Sequence, residues 1–217
     1  MSGMSLSTPV GASARRERTR QRLREAAVRV IAERGMGGAS VEEICERAGF
    51  TRGAFYSNFA SKEDLCLDLL RQHLLEHTVR AQQALASAAD DDRGPEALIA
   101  GAIDVFVDSQ DTDVDSLVTM SELRLHALRS PELHAGYTEL QQRTQATFTA
   151  IITEATERHG LRLQLTAEET TLLLGAVFEH GLLEAALHAE PDVRPRLKRQ
   201  MVTVLQALLV DDTRGER

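Results

Sequence analysis

Four side chains within one short stretch, Thr51-Arg-Gly-Ala-Phe-Tyr-Ser-Asn-Phe-Ala-Ser-Lys62, could engage a nucleic acid. The guanidinium of Arg52 matches the acceptor pair on a guanine edge, and the carboxamide of Asn58 matches the donor and acceptor on an adenine edge. The phenol of Tyr56 can donate to a phosphate, and the ammonium of Lys62 can neutralise one. Between them stand Gly53, Ala54 and Ser57, small and uncharged where a solvated helix normally shows long charged residues. Such a face lets a backbone come close to something bulky, and the amides at a helix start carry partial positive charge that suits an anion. Singly, Tyr56 has a plainer reading as half-buried packing and Lys62 as a solvated charge.

Helical periodicity supplies the elements that must position this stretch. Leu23, Ala26, Ala27, Val30 and Ile31 mark one face of a helix from about Arg15 to Glu33, stopped by Gly35, Gly37 and Gly38. Ser40-Val-Glu-Glu43 is a capping box that starts a second helix at Val41, which buries Val41, Ile44, Cys45 and Ala48. Gly49 supplies the turn, and Thr51 is the N-cap of a third helix of about eight residues, too short to persist on propensity. On its wheel Phe55 and Phe59 share one side while Gly53 and Ser57 point away, so the two rings must be the buried anchor. Gly53 costs this helix roughly 1 kcal/mol against Ala. Two short helices joined by a glycine turn form a helix-turn-helix, whose second helix can lie in the major groove of DNA.

Ser61, with Asp64 three residues on, starts a long helix from Lys62 toward Ala89. Beyond the loop Asp90–Pro95 the apolar spacing predicts helices at about 96–108, 115–129, 132–159, 167–189 and 194–210, and Thr166–Glu169 is a further capping box. No segment alternates with period two for long enough to argue a strand. The fold class is therefore all-α, with a disordered N-terminal arm at 1–14, a three-helix head at 15–61 and a helical body at 62–217.

The 217 residues are 42% apolar, ample for a packed core. No run of eighteen apolar residues exists and the N-terminus is small and polar, so neither a membrane span nor a signal peptide is expected and the chain should be cytoplasmic. The net charge of −8 is unevenly shared: residues 1–64 carry 11 Lys/Arg against 8 Asp/Glu, the remainder 14 against 25. Arg15, Arg16, Arg18, Arg20, Arg22 and Arg24 sharpen the asymmetry, and a basic head on an acidic body suits a polyanion partner for the head alone. Taken alone, such a run is a solvated helix face. Cys45 and Cys66 are too few for a disulfide framework and fall at apolar helical positions, so they are expected to be small core residues rather than thiol sensors.

Two other patterns compete. His73-Leu-Leu-Glu-His77 matches the H-x-x-E-H of some zinc peptidases and places both imidazoles on one helix face, but no third ligand with its own motif follows. Asp111, Asp113, Asp115 and Glu122 reproduce the acidic spacing of a calcium-binding EF-hand loop, but position six is Ser116 where the turn needs Gly, so an acidic loop supplying an N-cap is expected instead. No catalytic residue, metal site or cofactor is expected, and the chain is not expected to be an enzyme. A helical adaptor whose small-faced segment docks a partner protein is the other class of function.

The run Ser-Val-Glu-Glu-Ile-Cys-Glu-Arg-Ala-Gly-Phe-Thr-Arg-Gly-Ala-Phe-Tyr-Ser-Asn-Phe-Ala-Ser-Lys-Glu-Asp-Leu, residues 40–65, resembles the DNA-binding domain of the tetracycline-repressor (TetR) family of transcriptional regulators. Ile44, Ala48, Gly49, Phe55, Tyr56, Phe59, Lys62, Glu63 and Leu65 stand where that family has them, and Cys45 replaces its usual Ala. The resemblance covers about residues 15–65. It implies a nine-helix homodimer that binds a palindromic DNA operator, usually as a repressor, and is released by a small molecule bound in the body. It also implies a DNA-contacting set of Ser40, Thr51, Arg52, Gly53, Ala54, Tyr56, Ser57, Asn58 and Lys62, with Glu42 where some members carry a basic base-reading residue.

In the body, the segment Leu172–Leu183 is apolar on more than one face, so its helix should be buried from two sides. A second subunit would take one side, with Gly175 and Gly181 allowing close approach. Leu197, Met201, Val204, Leu205 and Leu208 form a stripe on the last helix, so helices at about 167–189 and 194–210 from each chain would make a four-helix interface, as the resemblance implies. Met120, Leu123, His126, Tyr137, Phe148, Phe178 and His180 are bulky or polar-tipped residues on the middle helices, and some of them could line a ligand cavity while most belong to the core.

Overall fold

The computed structural model describes residues 10–88, 95–110 and 112–210. Among these the chain forms nine helices: α1 (Val10–Gly38), α2 (Val41–Ala48), α3 (Arg52–Tyr56), α4 (Lys62–Ala88), α5 (Pro95–Ser109), α6 (Val114–Ala127), α7 (Pro131–Arg158), α8 (Ala167–Leu187) and α9 (Arg194–Leu208). The only departure from helix and loop among the described residues is an isolated antiparallel bridge between Leu163 and Leu209. The chain divides into two compact units, a head of Met1–Leu69 with Val118–His134 and a body of Leu70–Leu117 with Ala135–Arg217. The head therefore recruits a distant piece of chain that a boundary at residue 61 leaves out.

Val10–Ala14 belong to α1 rather than to a disordered arm; residues 1–9 lie outside the described residues, as do residues 89–94, Asp111 and the last seven residues. Gly35 does break α1, with φ 69° and ψ 166°, a backbone geometry that suits glycine. The Met36 amide beyond the break donates to the Glu122 carboxylate at 2.8 Å, and the Thr119 hydroxyl donates to the Val28 carbonyl at 2.9 Å, which fastens the second half of α6 into the head. In the acidic loop expected to supply an N-cap, Asp113 accepts from the Ser116 amide at 3.1 Å.

Ser40 caps α2 by accepting from the Glu43 amide at 3.2 Å, but the Glu43 carboxylate turns to Arg34 at 3.3 Å instead of completing the box. Gly49 then takes the left-handed conformation, φ 70° and ψ 36°, and ends the helix. Only five residues of α3 are helical because the chain tightens at once, with both the Asn58 and Phe59 amides donating to the Phe55 carbonyl. Phe55 and Phe59 are buried with ring centroids 5.7 Å apart, in a head core with Leu23, Ile31, Ile44 and Leu65.

The body core gathers Ile99, Ile103 and Val107 from α5, Phe178 and Ala185 from α8, and Leu197 and Met201 from α9. Of the stripe expected to meet a second subunit on α9, Leu197, Met201 and Leu205 thus face their own chain. Gly181 serves the same packing: a methyl group there would meet a Leu197 methyl at 2.4 Å, so the close approach it permits is between α8 and α9 of one chain, whereas Gly175 faces open space. By length and composition α8 is long and apolar enough to cross a membrane, with a most apolar window of mean hydropathy 1.3 that is 28% buried. Its unburied apolar positions, Leu172, Leu173, Leu183 and Leu187, fall on its outward side.

Candidate nucleic-acid interface

The outward flank of α3 is built by sinking Phe55 and, in the turn just beyond the helix, Phe59. With Phe55 and Phe59 buried, Arg52, Gly53, Tyr56 and Ser57 are left exposed and Ala54 half-exposed. Tyr56 packs the edge of its ring on Phe55, centroids 5.3 Å apart, and is 50% exposed, so its hydroxyl is carried outward on a held ring. Thr51 caps the helix by accepting from the Ala54 amide at 3.2 Å, and the Ser57 hydroxyl donates to the Ala54 carbonyl at 2.9 Å. Four of the residues expected to meet DNA, Ser40, Thr51, Ser57 and Asn58, therefore use their polar tips on the local backbone.

For two of the expected contacts this matters most. Asn58 is half-buried and its amide nitrogen donates back to the Ala54 carbonyl at 2.7 Å, so its carboxamide closes the helix end instead of projecting toward a base. Lys62 donates to the carbonyls of Met36 at 2.9 Å and Ala39 at 3.0 Å, at the end of α1, where a cation meets unsatisfied carbonyls and the negative end of the dipole. Two of its three donors are spent inside the head, which makes it a structural cation first.

The arginine run is likewise divided. Arg20 lies over the Phe59 ring, 4.3 Å from its centroid, and donates to the Asn58 carbonyl at 2.8 Å and to Asp68 at 2.6 Å. Arg24 is buried and pairs with the other Asp68 oxygen at 2.8 Å and with Glu17 at 2.5 Å. Both are struts between α1, α4 and the end of the recognition stretch, while Arg15, Arg16 and Arg18 remain exposed. Asp68 was the available signal for this: an acid on the same helix face as Leu65 and Leu69 needs a buried partner.

Across the helix-turn-helix, Arg52 at the start of α3 pairs with Glu42 in the first turn of α2 at 2.5 Å, and its guanidinium carbon lies 5.9 Å from the Tyr56 ring centroid. Hydrogen bonding with Tyr56 and the charge of Glu42 hold that guanidinium more firmly protonated than usual.

The residues considered for a ligand cavity divide between the units. Met120, Leu123 and His126 belong to the head, where Leu123 is fully buried in the packing and the other two are half-buried. In the body, Phe148 and Phe178 both meet Phe106, at 6.1 and 5.5 Å between centroids, Tyr137 is half-buried and His180 is exposed on α8. Phe178 is thus core, and His180 points away from it. A surface groove of about 890 Å³ lies instead between α7 and α8, lined by Gln145, Thr149, Thr153, Glu154, Glu168 and Leu172 among others, with none of the seven. Its sequence signal is the polar row at helical spacing on α7, Gln142, Gln145, Thr149 and Thr153.

The competing patterns are otherwise engaged. The His73 and His77 rings lie tilted at 47° with centroids 4.1 Å apart, and His77 meets the Phe178 ring edge-on. Among the described residues no three His, Cys, Asp or Glu side chains are placed to share a metal ion. Cys45 and Cys66 are buried, and burial pushes both thiols up, Cys66 to about 12.

Residues 23–69 match the family model of bacterial regulatory proteins of the tetR family. The regulator SrpR of Pseudomonas putida is 41% identical over 66 residues, 30% of this chain and 31% of that protein, so the match spans less than a third of the relative's length. The regulator EthR of Mycolicibacterium smegmatis is 27% identical over 178 residues, 79% of each chain. The fold extends further than the sequence: FadR of Bacillus subtilis, solved with stearoyl-CoA, superposes with a TM-score of 0.69 at 19% identity, over 85% of this chain and 96% of that one. With the helix-turn-helix residues in place, residues 23–69 are a DNA-binding domain of the tetR family type, and the all-helical architecture behind them resembles that of TetR-family transcriptional regulators.

Proposed function

We propose that the chain binds a palindromic DNA operator in the cytoplasm as a homodimer and represses transcription until a small molecule taken up by the body releases it. The observation that carries this reading is the α3 flank, where Arg52, Gly53, Tyr56 and Ser57 lie exposed over two buried rings. A bare flank beside a held phenol and a guanidinium fits a major groove edged by phosphates. Dimerisation is supported by α8, where Leu172 and Leu187 are 57% and 70% exposed on a helix otherwise apolar enough for a core. A second copy laid on that face would meet Leu172, Leu173, Leu183 and Leu187, together with the polar outer side of α9, Arg199, Thr203 and Gln206. Ligand control is supported by the structural neighbour that carries stearoyl-CoA.

Selection of bound fragments from the host genome tests the proposal. The expected product is a two-fold symmetric sequence whose affinity falls steeply and linearly on a log–log salt plot, as phosphate neutralisation requires. No enrichment, or binding indifferent to salt, would reject DNA as the target and favour a protein partner. Leu183→Asp with Leu187→Asp is expected to leave a monomer in light scattering and to lose the operator; a persisting dimer places the interface elsewhere.

A further inference from the structure

The pair formed by Glu42 and Arg52 sits where two demands conflict. A carboxylate in a DNA-facing surface is repelled by phosphates, yet Glu42 is 56% exposed in the first turn of α2, 2.5 Å from a guanidinium that is itself 60% exposed. Ordinary surface pairs of this kind add little to stability, so packing does not explain it. What the pair does do is restrict a long, flexible side chain. Arg52 is held on one side by the Glu42 oxygen and on another by the Tyr56 ring. An arginine at the edge of a groove has two uses: pairing bidentately with a guanine edge, or reaching sideways to the nearest phosphate, which carries no sequence information. The Glu42 carboxylate takes one nitrogen of the guanidinium, Nη1, and so leaves most of the five N–H donors for other partners.

We infer that Glu42 is a specificity-determining positioning residue, which holds Arg52 for a base edge and keeps it from the phosphates. This rests on the DNA-binding reading above, and it assigns the role to α2, outside the recognition helix. Three consequences follow. Glu42→Ala binds random-sequence DNA more tightly, because a repulsive charge is gone and Arg52 is released to the backbone. Its log–log salt slope steepens by about one, the increment of one more neutralised phosphate. Its preference at one base position of each half-site flattens by about tenfold, within the range a good bidentate contact supplies.

The experiment is fragment selection and salt titration with the full-length wild type, Glu42→Ala, Glu42→Gln and Arg52→Ala, each first checked for an unchanged melting curve, which the exposure of both residues makes attainable. Arg52→Ala identifies the base position. Glu42→Gln, still able to accept from the guanidinium, is expected to retain most of the preference that Glu42→Ala loses. The inference is overturned if Glu42→Ala and Glu42→Gln raise affinity alike while every position of the selected sequence keeps its preference, for then the carboxylate only repels. It is also overturned if Arg52→Ala leaves the selected sequence unaltered. Failure of the wild type itself to select any sequence would reject the DNA-binding reading and this inference with it, a result distinct from the other two.

Discussion

Replacing Phe55 by Ala tests what holds the recognition helix in place. The ring is fully buried, edge-on to Tyr56 at 5.3 Å and 5.7 Å from Phe59. Truncating such a residue costs about 3–5 kcal/mol, in which the two aromatic contacts, at ~0.5–1.5 kcal/mol each, are included. A five-residue helix has no propensity-based stability to set against that loss. At about 1.4 kcal/mol per tenfold, even the lower figure raises local opening by roughly a hundredfold. Amide hydrogen exchange followed by mass spectrometry reads this directly. Peptides covering 41–59 should lose about a hundredfold or more of their protection, those from α8 and α9 should keep theirs, and operator affinity should fall in step. Tyr56→Ala is the contrast: on an exposed position it should change stability by only about 0.5–1 kcal/mol yet weaken DNA binding. If Phe55→Ala exchanges like the wild type, or binds DNA undiminished, the rings are not the anchor.

Gly181→Ala should destabilise the body by about 1–3 kcal/mol in urea unfolding, since the added methyl overlaps a side chain of Leu197 that is fully buried and has nowhere to retreat; an unchanged midpoint would mean that α8 and α9 separate freely. Because burial raises both thiols, they stay protonated at pH 8, and iodoacetamide should modify neither Cys45 nor Cys66 in the folded chain but both in urea; rapid native labelling of Cys66 would contradict its burial. Lys62→Met should cost the head about 1–2 kcal/mol by uncapping the Met36 and Ala39 carbonyls while leaving the salt slope of DNA binding as it was; a slope shallower by about one would return Lys62 to the phosphates.

The sequence by itself determined what depends on neighbours along the chain. Helix starts at Ser40, Thr51, Ser61 and Thr166, the glycine turn at Gly49 and the burial of Phe55 beside Phe59 are all set by residues within a turn or two of each other, so spacing and cap chemistry sufficed to place them. The same locality made the small exposed flank of α3 legible. The tertiary structure decided which partner each polar group takes, because that depends on chain brought in from far away. Asp68 claims Arg20 and Arg24 from the basic run, the end of α1 claims Lys62, Glu122 claims the Met36 amide released by Gly35, and Leu197 claims the space beside Gly181. A periodic pattern states that a face is apolar or charged and says nothing of what lies opposite. That is why Leu197, Met201 and Leu205 of the α9 stripe, which could equally have met a second copy, close the body's own core, and why Asn58 and Lys62 went to the backbone while Arg52 stayed at the surface.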